Sequence, residues 1–450
     1  MPLNLPYNVL KQEEKEHDLF FFLEPIENNL QCPFCGSKDY RKHLNRKQFY
    51  FDLPIRGKRV GLYIKRQRYL CKACSKSFLP DLPLIHINHN MTERLVKYIK
   101  EKSLQRPFTH LADEIGCTEG TIRKIFKSHI EGLAAQSKFA TPKIMGIDEI
   151  HLAKRARAVI TNIEERTIIE MFKDRNKTTI THYLNRLENS HIVLNVAMDM
   201  WKPYRDAVNS ILPHSIVVID KFHVVRMANT ALEKYRKELR RSLTQKQRLD
   251  LKNDRYLLLK RKNTLSNQES FTLSYWENNY PILAKMYDLK EQFFEIYDTE
   301  SKEEAYDRYA EFEAQLTKDI RHYWSDLTRA VENWHTEIFA YFDHPITNAY
   351  TEAMNSVIRH VDRMGRSYSF ETIRAKMLYT KSIHKTKRPK MNKRHDMDIP
   401  TFMRKGDVMG RYIPSKVTSK QEEIKDEINY GVDMEKLVNE IKKGTLRFED

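Results

Sequence analysis

The chain of 450 residues is long enough for several domains with cores of their own, and its apolar content is that of a folding protein. Its 78 Lys and Arg against 61 Asp and Glu leave a surplus of +17, which favours a polyanionic partner, because cations that neutralise phosphates release counterions. No apolar run approaches the ~20 residues of a membrane span, and LFFFLEP (19–25) is short and follows the acidic KQEEKEHD, so neither membrane nor signal peptide is expected and the location read is cytoplasmic.

From the N-terminus, residues 1–84 hold two CxxC pairs, Cys32/Cys35 and Cys71/Cys74, among β-type runs such as FYFDLP and VGLYIKRQRYL. Each knuckle presents two thiolates to one ion, so the four together predict a structural Zn2+ site that holds a small β module with little core of its own. The 35 residues between the pairs leave room for a hairpin insert. His43 and His86 are read as surface residues, because four thiolates already complete a tetrahedron.

Residues 91–135 read as a helix-turn-helix DNA-binding domain. Leu111, Ala112 and Ile115 make one apolar face, Gly116 and Cys117 the turn, and Thr118 caps a second helix that turns Ile122, Ile125 and Phe126 inward. Thr121, Arg123, Lys124 and Lys127 then face outward as the groove-contacting set, and Cys117 is a small buried residue.

Residues 141–223 parse as KIMGIDEIHL, ARAVITNIEE and RTIIEMFKDR as strands, KTTITHYLNRLENS as a helix, HIVLNVAMDM as a strand, PYRDAVNSIL as a helix and SIVVIDKFHV as a fifth strand. The order β-β-β-α-β-α-β is that of an RNase H-like domain, whose first and fourth strands lie side by side. Asp148 and Asp199 would meet there and hold hard cations such as Mg2+. Residues 224–345 have helical periodicity throughout and read as an all-α insertion. The segment 346–384 returns with TNAYTEAMNSVIRHVDRMGRSYSFETIRAK, which offers Glu352 as the third acid near the start of a helix. Asn355, Arg359 and Arg363 follow at helical spacing as DNA-phosphate contacts. A basic and charged tail, 385–450, closes the chain.

Together CPFCG…CKAC, the helix-turn-helix, GIDE, VAMDMW, VVIDKFHV and TNAYTEAMNSVIRH resemble the bacterial ISL3-type insertion-sequence transposases over nearly the whole chain. The last stretch is similar to the family's TNG-x-x-E-x-x-N helix, with Ala349 in place of the usual glycine. The resemblance implies a DDE transposase: a multidomain α+β chain with a zinc-ribbon-like N-terminal module, a helix-turn-helix, and an RNase H-like α/β core interrupted by the all-α insertion. It implies metal-dependent cleavage at the ends of an insertion sequence and strand transfer into target DNA, with Asp148, Asp199 and Glu352 holding two Mg2+ ions, or Mn2+ in their place. It further implies that the chain binds double-stranded terminal repeats and target, works as a homodimer or higher oligomer, and associates with the nucleoid. Asp220-Lys-Phe-His223 resembles a [CD]-x-x-H motif of related transposases, which gives Asp220 and His223 an auxiliary role; a triad of Asp148, Asp220 and Glu352 stays open on spacing. Two competing readings are a non-catalytic DNA-binding regulator derived from a transposase and an RNase H-like nuclease or resolvase.

Overall fold

The computed structural model describes residues 6–26, 30–366 and 368–380, so the charged tail of the sequence reading lies outside the described residues. The N-terminal module contains β1 (Tyr7–Glu14), β2 (Asp18–Pro25), β3 (Tyr40–Ile55), β4 (Lys58–Cys71) and β5 (Ser77–Phe78), in the order β1-β2-β4-β3 with β5 paired to β4. The long β3–β4 hairpin fills the gap between the two CxxC pairs. Its two-residue turn places both Arg56 and Gly57 at positive φ, as the twist of a tight hairpin requires. The module also has more core than the sequence suggested. Alternate residues Leu19, Phe21 and Leu23 of β2 and Val60, Leu62 and Ile64 of β4 are buried together, a period-2 stripe that a reading centred on the cysteines passes over.

Three helices follow: α1 (Glu93–Lys102), α2 (Phe108–Ile115) and α3 (Glu119–Gln136). Gly116 ends α2 in the left-handed region, and the Thr118 hydroxyl accepts the Thr121 N–H at the start of α3. Fully buried Asp52 of β3 accepts hydrogen bonds from the Thr92 hydroxyl (2.6 Å) and Arg94 Nε (2.8 Å), which fastens the β module to α1.

The second sheet comprises β6 (Ile144–Leu152), β7 (Arg155–Asn162), β8 (Thr167–Met171), β9 (Asn195–Met198) and β10 (Ile216–Ile219), in the order β10-β9-β6-β7-β8. Strands β6, β7 and β8 are antiparallel neighbours; β9 and β10 join parallel to β6 after the crossovers α4 (Lys177–Leu184) and α5 (Lys202–Ile211). Two strand expectations need correction. HIVLNVAMDM begins with a 3-10 turn at 190–192, so its strand is the shorter β9. SIVVIDKFHV stops being a strand at Ile219: Asp220 caps α6 (Lys221–Ser242) by accepting the Phe222 N–H, and His223 is helical. The helical segment therefore begins at 221 instead of 224.

It continues through α7 (Gln245–Asn253), α8 (Arg255–Leu259), α9 (Asn267–Asn279), α10 (Pro281–Ile296), α11 (Lys302–Ala314), α12 (Arg321–Asn333) and α13 (His335–Asp343). These helices share one continuous apolar core with the sheet, from Met145 and Val196 through Val224 and Leu232 to Trp324 and Phe339. The last described elements are α14 (Ala349–Gly365), against β6, and α15 (Phe370–Tyr379). The buried Lys376 ammonium of α15 donates to the Ser103 and Arg106 carbonyls beyond α1, and Tyr368 accepts the Phe108 N–H at 3.0 Å. One connector thus ties the α1–α3 bundle to the helix that carries Glu352. No helix among the described residues is long and apolar enough to cross a membrane.

Candidate active site

Parallel register brings the acids into one row. Ile147, Met198 and Ile219 are opposite one another across β6, β9 and β10, so the next residues, Asp148, Asp199 and Asp220, fall in line. Asp199 and Asp220 lie just past the ends of β9 and β10, and Asp148 lies inside β6, which runs on to Leu152 and so does not end at the acid. In a parallel sheet, residues in register share a face. Glu352, in the first turn of α14, approaches this row from above β6.

His223 stands among the acids. Its Nε2 is 2.8 Å from Asp199 Oδ1 and 3.2 Å from Glu352 Oε1. The Asp199 contact is an ion-pair approach outside hydrogen-bond angles, so Asp199 Oδ1 remains a buried oxygen with no hydrogen-bond donor. Burial works against a charged imidazole, but the contacts with Asp199 and Glu352 outweigh it and push His223 up to about 10. Burial, then the charge of Asp199, pushes Asp148 up to about 8, and burial pushes Asp220 up to about 6. The cluster holds more negative charge than one imidazolium offsets.

Asp220 is engaged differently from Asp199. It is 0 % exposed; Oδ1 accepts the Phe222 N–H and Oδ2 accepts the Asn348 N–H, each at 3.1 Å. Asp220, His223 and Glu352 do offer ligand atoms within 4.8 Å of one another. Both Asp220 oxygens are nevertheless committed to backbone donors, whereas Asp199 is a quarter exposed and has only the His223 approach.

Five residues other than the acids build the support. Asn348 precedes α14 but does not cap it: its amide donates to the Ile147 carbonyl at 3.2 Å. The Thr351 hydroxyl donates to Asn348 Oδ1, and Thr161 of β7 lies 2.7 Å from Thr351. Gly146 is the floor under this chain. Asn355, expected to face DNA with Arg359 and Arg363, turns inward instead, and its amide donates to Asp148 Oδ2 at 2.7 Å and to the Glu149 carbonyl at 3.3 Å. Its buried position follows from the stripe Tyr350, Thr351, Met354, Asn355, Ile358 on α14. Arg359 and Arg363 are exposed, as expected. Glu149 pairs with Arg175, whose guanidinium lies 4.1 Å over the Trp201 ring.

The donor set fits a hard cation. It is carboxylate oxygen with one imidazole and no thiolate, it includes a buried carboxylate oxygen without a donor, and it is over-supplied with negative charge. The cysteine cluster fits zinc. Cys32 and Cys74 Sγ are 3.7 Å apart and Cys35 and Cys71 Sγ 3.6 Å, close to the ~3.8 Å edge of a tetrahedron with ~2.3 Å zinc–sulfur bonds. The Cys74 backbone N–H leads the interactions that pull the Cys71 thiol down to about 7, toward the thiolate a metal needs.

Of the helix-turn-helix set, Lys124 and Lys127 are exposed, and Thr121 is half-buried. Arg123 is exposed too but already engaged, 2.6 Å from Glu119 and 5.6 Å over the Phe108 ring. Cys117 is partly buried against the α1–α3 core, as read from sequence.

Comparison with known proteins gives the family. A model of the zinc-finger of the IS204/IS1001/IS1096/IS1165 transposases matches residues 29–74. Among curated proteins, the transposase for insertion sequence element IS1001 of Bordetella parapertussis is 21% identical over 364 residues, 79% of this chain and 89% of that protein. Transposases for IS1557 from two strains of Mycobacterium tuberculosis are 23% identical over 289 residues, 58% of this chain and 64% of each of those proteins. The ISL3 transposase-domain model matches residues 145–377, more than half of the chain, from β6 to α15, and the chain belongs to the ISL3 family of DDE transposases.

Proposed function

We propose that the protein cuts DNA at the ends of an insertion sequence and joins the freed 3′ ends to target DNA, with Asp148, Asp199 and Glu352 as its metal-holding acids on an RNase H-like sheet. The observation that supports this most is the in-register convergence of Asp148 and Asp199 beneath the helix of Glu352. Bound there, Mg2+ supplies Lewis-acid polarisation of the phosphodiester and charge stabilisation of the leaving oxygen. Asn355 fixes the Asp148 carboxylate, and Asp220 fixes the turn into α14 through Asn348. His223 holds a proton on Nε2 between Asp199 and Glu352, and so keeps the two acids together while they are not sharing a cation.

In this reading α1, α2 and α3 are a helix-turn-helix, with Thr121, Lys124 and Lys127 toward the groove and Arg123 held by Glu119 until DNA competes for it. Arg359 and Arg363 extend the phosphate-binding surface along α14. Helices α6–α13 are an insertion between β10 and α14. Two protomers act together because two ends must be joined, and they act on DNA of the nucleoid in the cytoplasm. The test is Mg2+-dependent cleavage of a duplex carrying the element's end. Asp148→Ala and Glu352→Ala are each expected to lose it by on the order of 10²–10³-fold or more while still binding the duplex; parental cleavage by either variant sinks the assignment.

The four cysteines hold structural Zn2+ in this reading. Chelation or Cys71→Ser is expected to release the metal and weaken end binding, while the catalytic sheet, which has its own core, melts as before. Metal content, end binding and thermal unfolding on one preparation check this, and unchanged binding after zinc loss contradicts it.

A further inference from the structure

The β3–β4 hairpin carries a charge pattern that neither the acids nor the zinc site explains. Between Tyr40 and Pro80 the sequence holds 12 Lys and Arg against one acid, Asp52, so this segment supplies most of the +17 surplus. Asp52 is itself spent on Thr92 and Arg94. Strand β2 accompanies β4 only from Arg59 to Ile64. Beyond Ile64 the hairpin runs on as a two-stranded ribbon, touched on its other edge by β5 at Tyr69 and Leu70.

Along this ribbon every β3 residue from Arg41 to Lys47 is exposed, so both faces of that strand meet solvent, while β4 beside it is mostly half-buried. The register sets Arg46 opposite Arg66 and Lys47 opposite Lys65. Like charges directly opposite one another destabilise a ladder. Lys65 is relieved by Glu24 at 3.0 Å and Arg66 by the Pro80 carbonyl at 2.7 Å. Arg41, Lys42, Arg46 and Lys47 form no ion pair among the described residues. Charged residues on an edge strand can guard against aggregation, but that purpose needs no like-charged partners across the ladder. The ladder also bulges between Lys42 and Leu44, which re-aims His43, and Leu44 is 60% exposed at the same point.

We propose that this ribbon is a DNA-binding arm that lies in a groove of the element's terminal duplex, alongside the segment met by α3. A major groove about 12 Å wide admits a two-stranded β-ribbon. Phosphates on both groove walls match the cations on both faces of β3, and His43 and Leu44 are offered to base edges. Strand β3 meets the helical bundle at Phe51, which bridges Met91. From there to Arg41 the strand spans about 33 Å at ~3.3 Å per residue, close to one turn of duplex. The arm thus lengthens the footprint that α3 alone would have. The proposal rests on the transposase reading, because it takes the terminal duplex as the partner.

The test is the triple variant Arg41→Gln, Arg46→Gln, Lys47→Gln in the full chain, bound to the terminal duplex flanking its own gene across a salt series. The slope of log affinity against log salt is expected to shrink by roughly 2–3, near 0.9 for each phosphate no longer neutralised, and affinity at moderate salt to fall by about 10-fold or more. The protected footprint is expected to shorten by up to about one duplex turn, with zinc content and melting unchanged. Parental slope and footprint in the variant overturn the arm, and so does aggregation of the variant with undiminished affinity in its soluble fraction, which would make the charges edge guards. A parent that binds and cleaves its ends while the variant binds identically overturns the arm alone; a parent that binds no terminal duplex overturns the reading beneath it.

Discussion

Asp199→Asn is expected to abolish Mg2+-dependent end cleavage with the melting temperature unchanged, and Asp220→Asn to lower the melting temperature first and activity only in consequence. The side chain of Asp199 is 25% exposed and accepts from no backbone N–H, and its one close neighbour is His223 Nε2 at 2.8 Å, so an amide of the same shape that turns its oxygen to His223 fits without orphaning a partner. What is lost is a charge from the donor set, and a drop of at least about 10²–10³-fold is expected from removing one strong electrostatic contributor. Asp220 has no such freedom. Both of its oxygens accept backbone N–H groups, from Phe222 and Asn348, in a fully buried position. An amide there must aim its own NH2 at one of these donors, and a buried donor left without an acceptor costs about 1–3 kcal/mol. The start of α6 and the turn into α14 loosen together. Thermal unfolding and end cleavage on the same preparations, at two temperatures, separate the two effects: the Asp220→Asn variant should regain cleavage on cooling and the Asp199→Asn variant should not. The opposite pattern, with Asp220→Asn melting normally but inert and Asp199→Asn active, makes Asp220 the second metal acid.

The acids were legible because each apolar strand runs straight into one, and strand order then says which strands are neighbours. Strand order proposes Asp148 and Asp199; Glu352, on a helix, comes from its spacing in TNAYTEAMNSVIRH together with the resemblance of that stretch to the family's motif. The same reading misplaced the end of β10, because Phe222, His223 and Val224 prolong an apolar run that looks like strand. The countersignal was Asp220 itself, a residue type that caps helices, followed by the 3.6-residue periodicity of FHVVRMANTALEKY. Asn355 was misread in a different way. Its spacing from Glu352 puts it near the outer face, yet it also belongs to the apolar stripe of Met354 and Ile358, and burial decides which face wins. Asp52 under α1 and Lys376 among the carbonyls after α1 could not be read at all. Their partners are 40 and about 270 positions away, and no local pattern encodes such a meeting.

Gly146→Ala is expected to cost cleavage on the order of 10²-fold although residue 146 carries no chemistry. A Cβ there would lie 2.5 Å from Thr161 Oγ1, 2.5 Å from Thr351 Oγ1 and 2.7 Å from Asn348 Oδ1. These atoms form a closed hydrogen-bonded chain and are not the loose ends of flexible side chains, so they cannot swing aside singly. Relief requires α14 to lift from β6, and over-packing of this kind costs about 1–3 kcal/mol. Thr351 adjoins Glu352, so the lift is transmitted to the acid at once, and a displacement of about 1 Å at reacting groups is enough for a 10²-fold loss. The zinc module and the α1–α3 bundle lie outside this contact, so their share of end binding should hold. Gly132→Ala is the control: its Cβ would meet nothing within 4 Å, and in mid-helix the change should stabilise by roughly 0.5–1 kcal/mol. If Gly146→Ala cleaves at the parental rate with parental melting, close seating of α14 on β6 is not what positions Glu352, and the acid must be held from the Asp220 side through Asn348 instead.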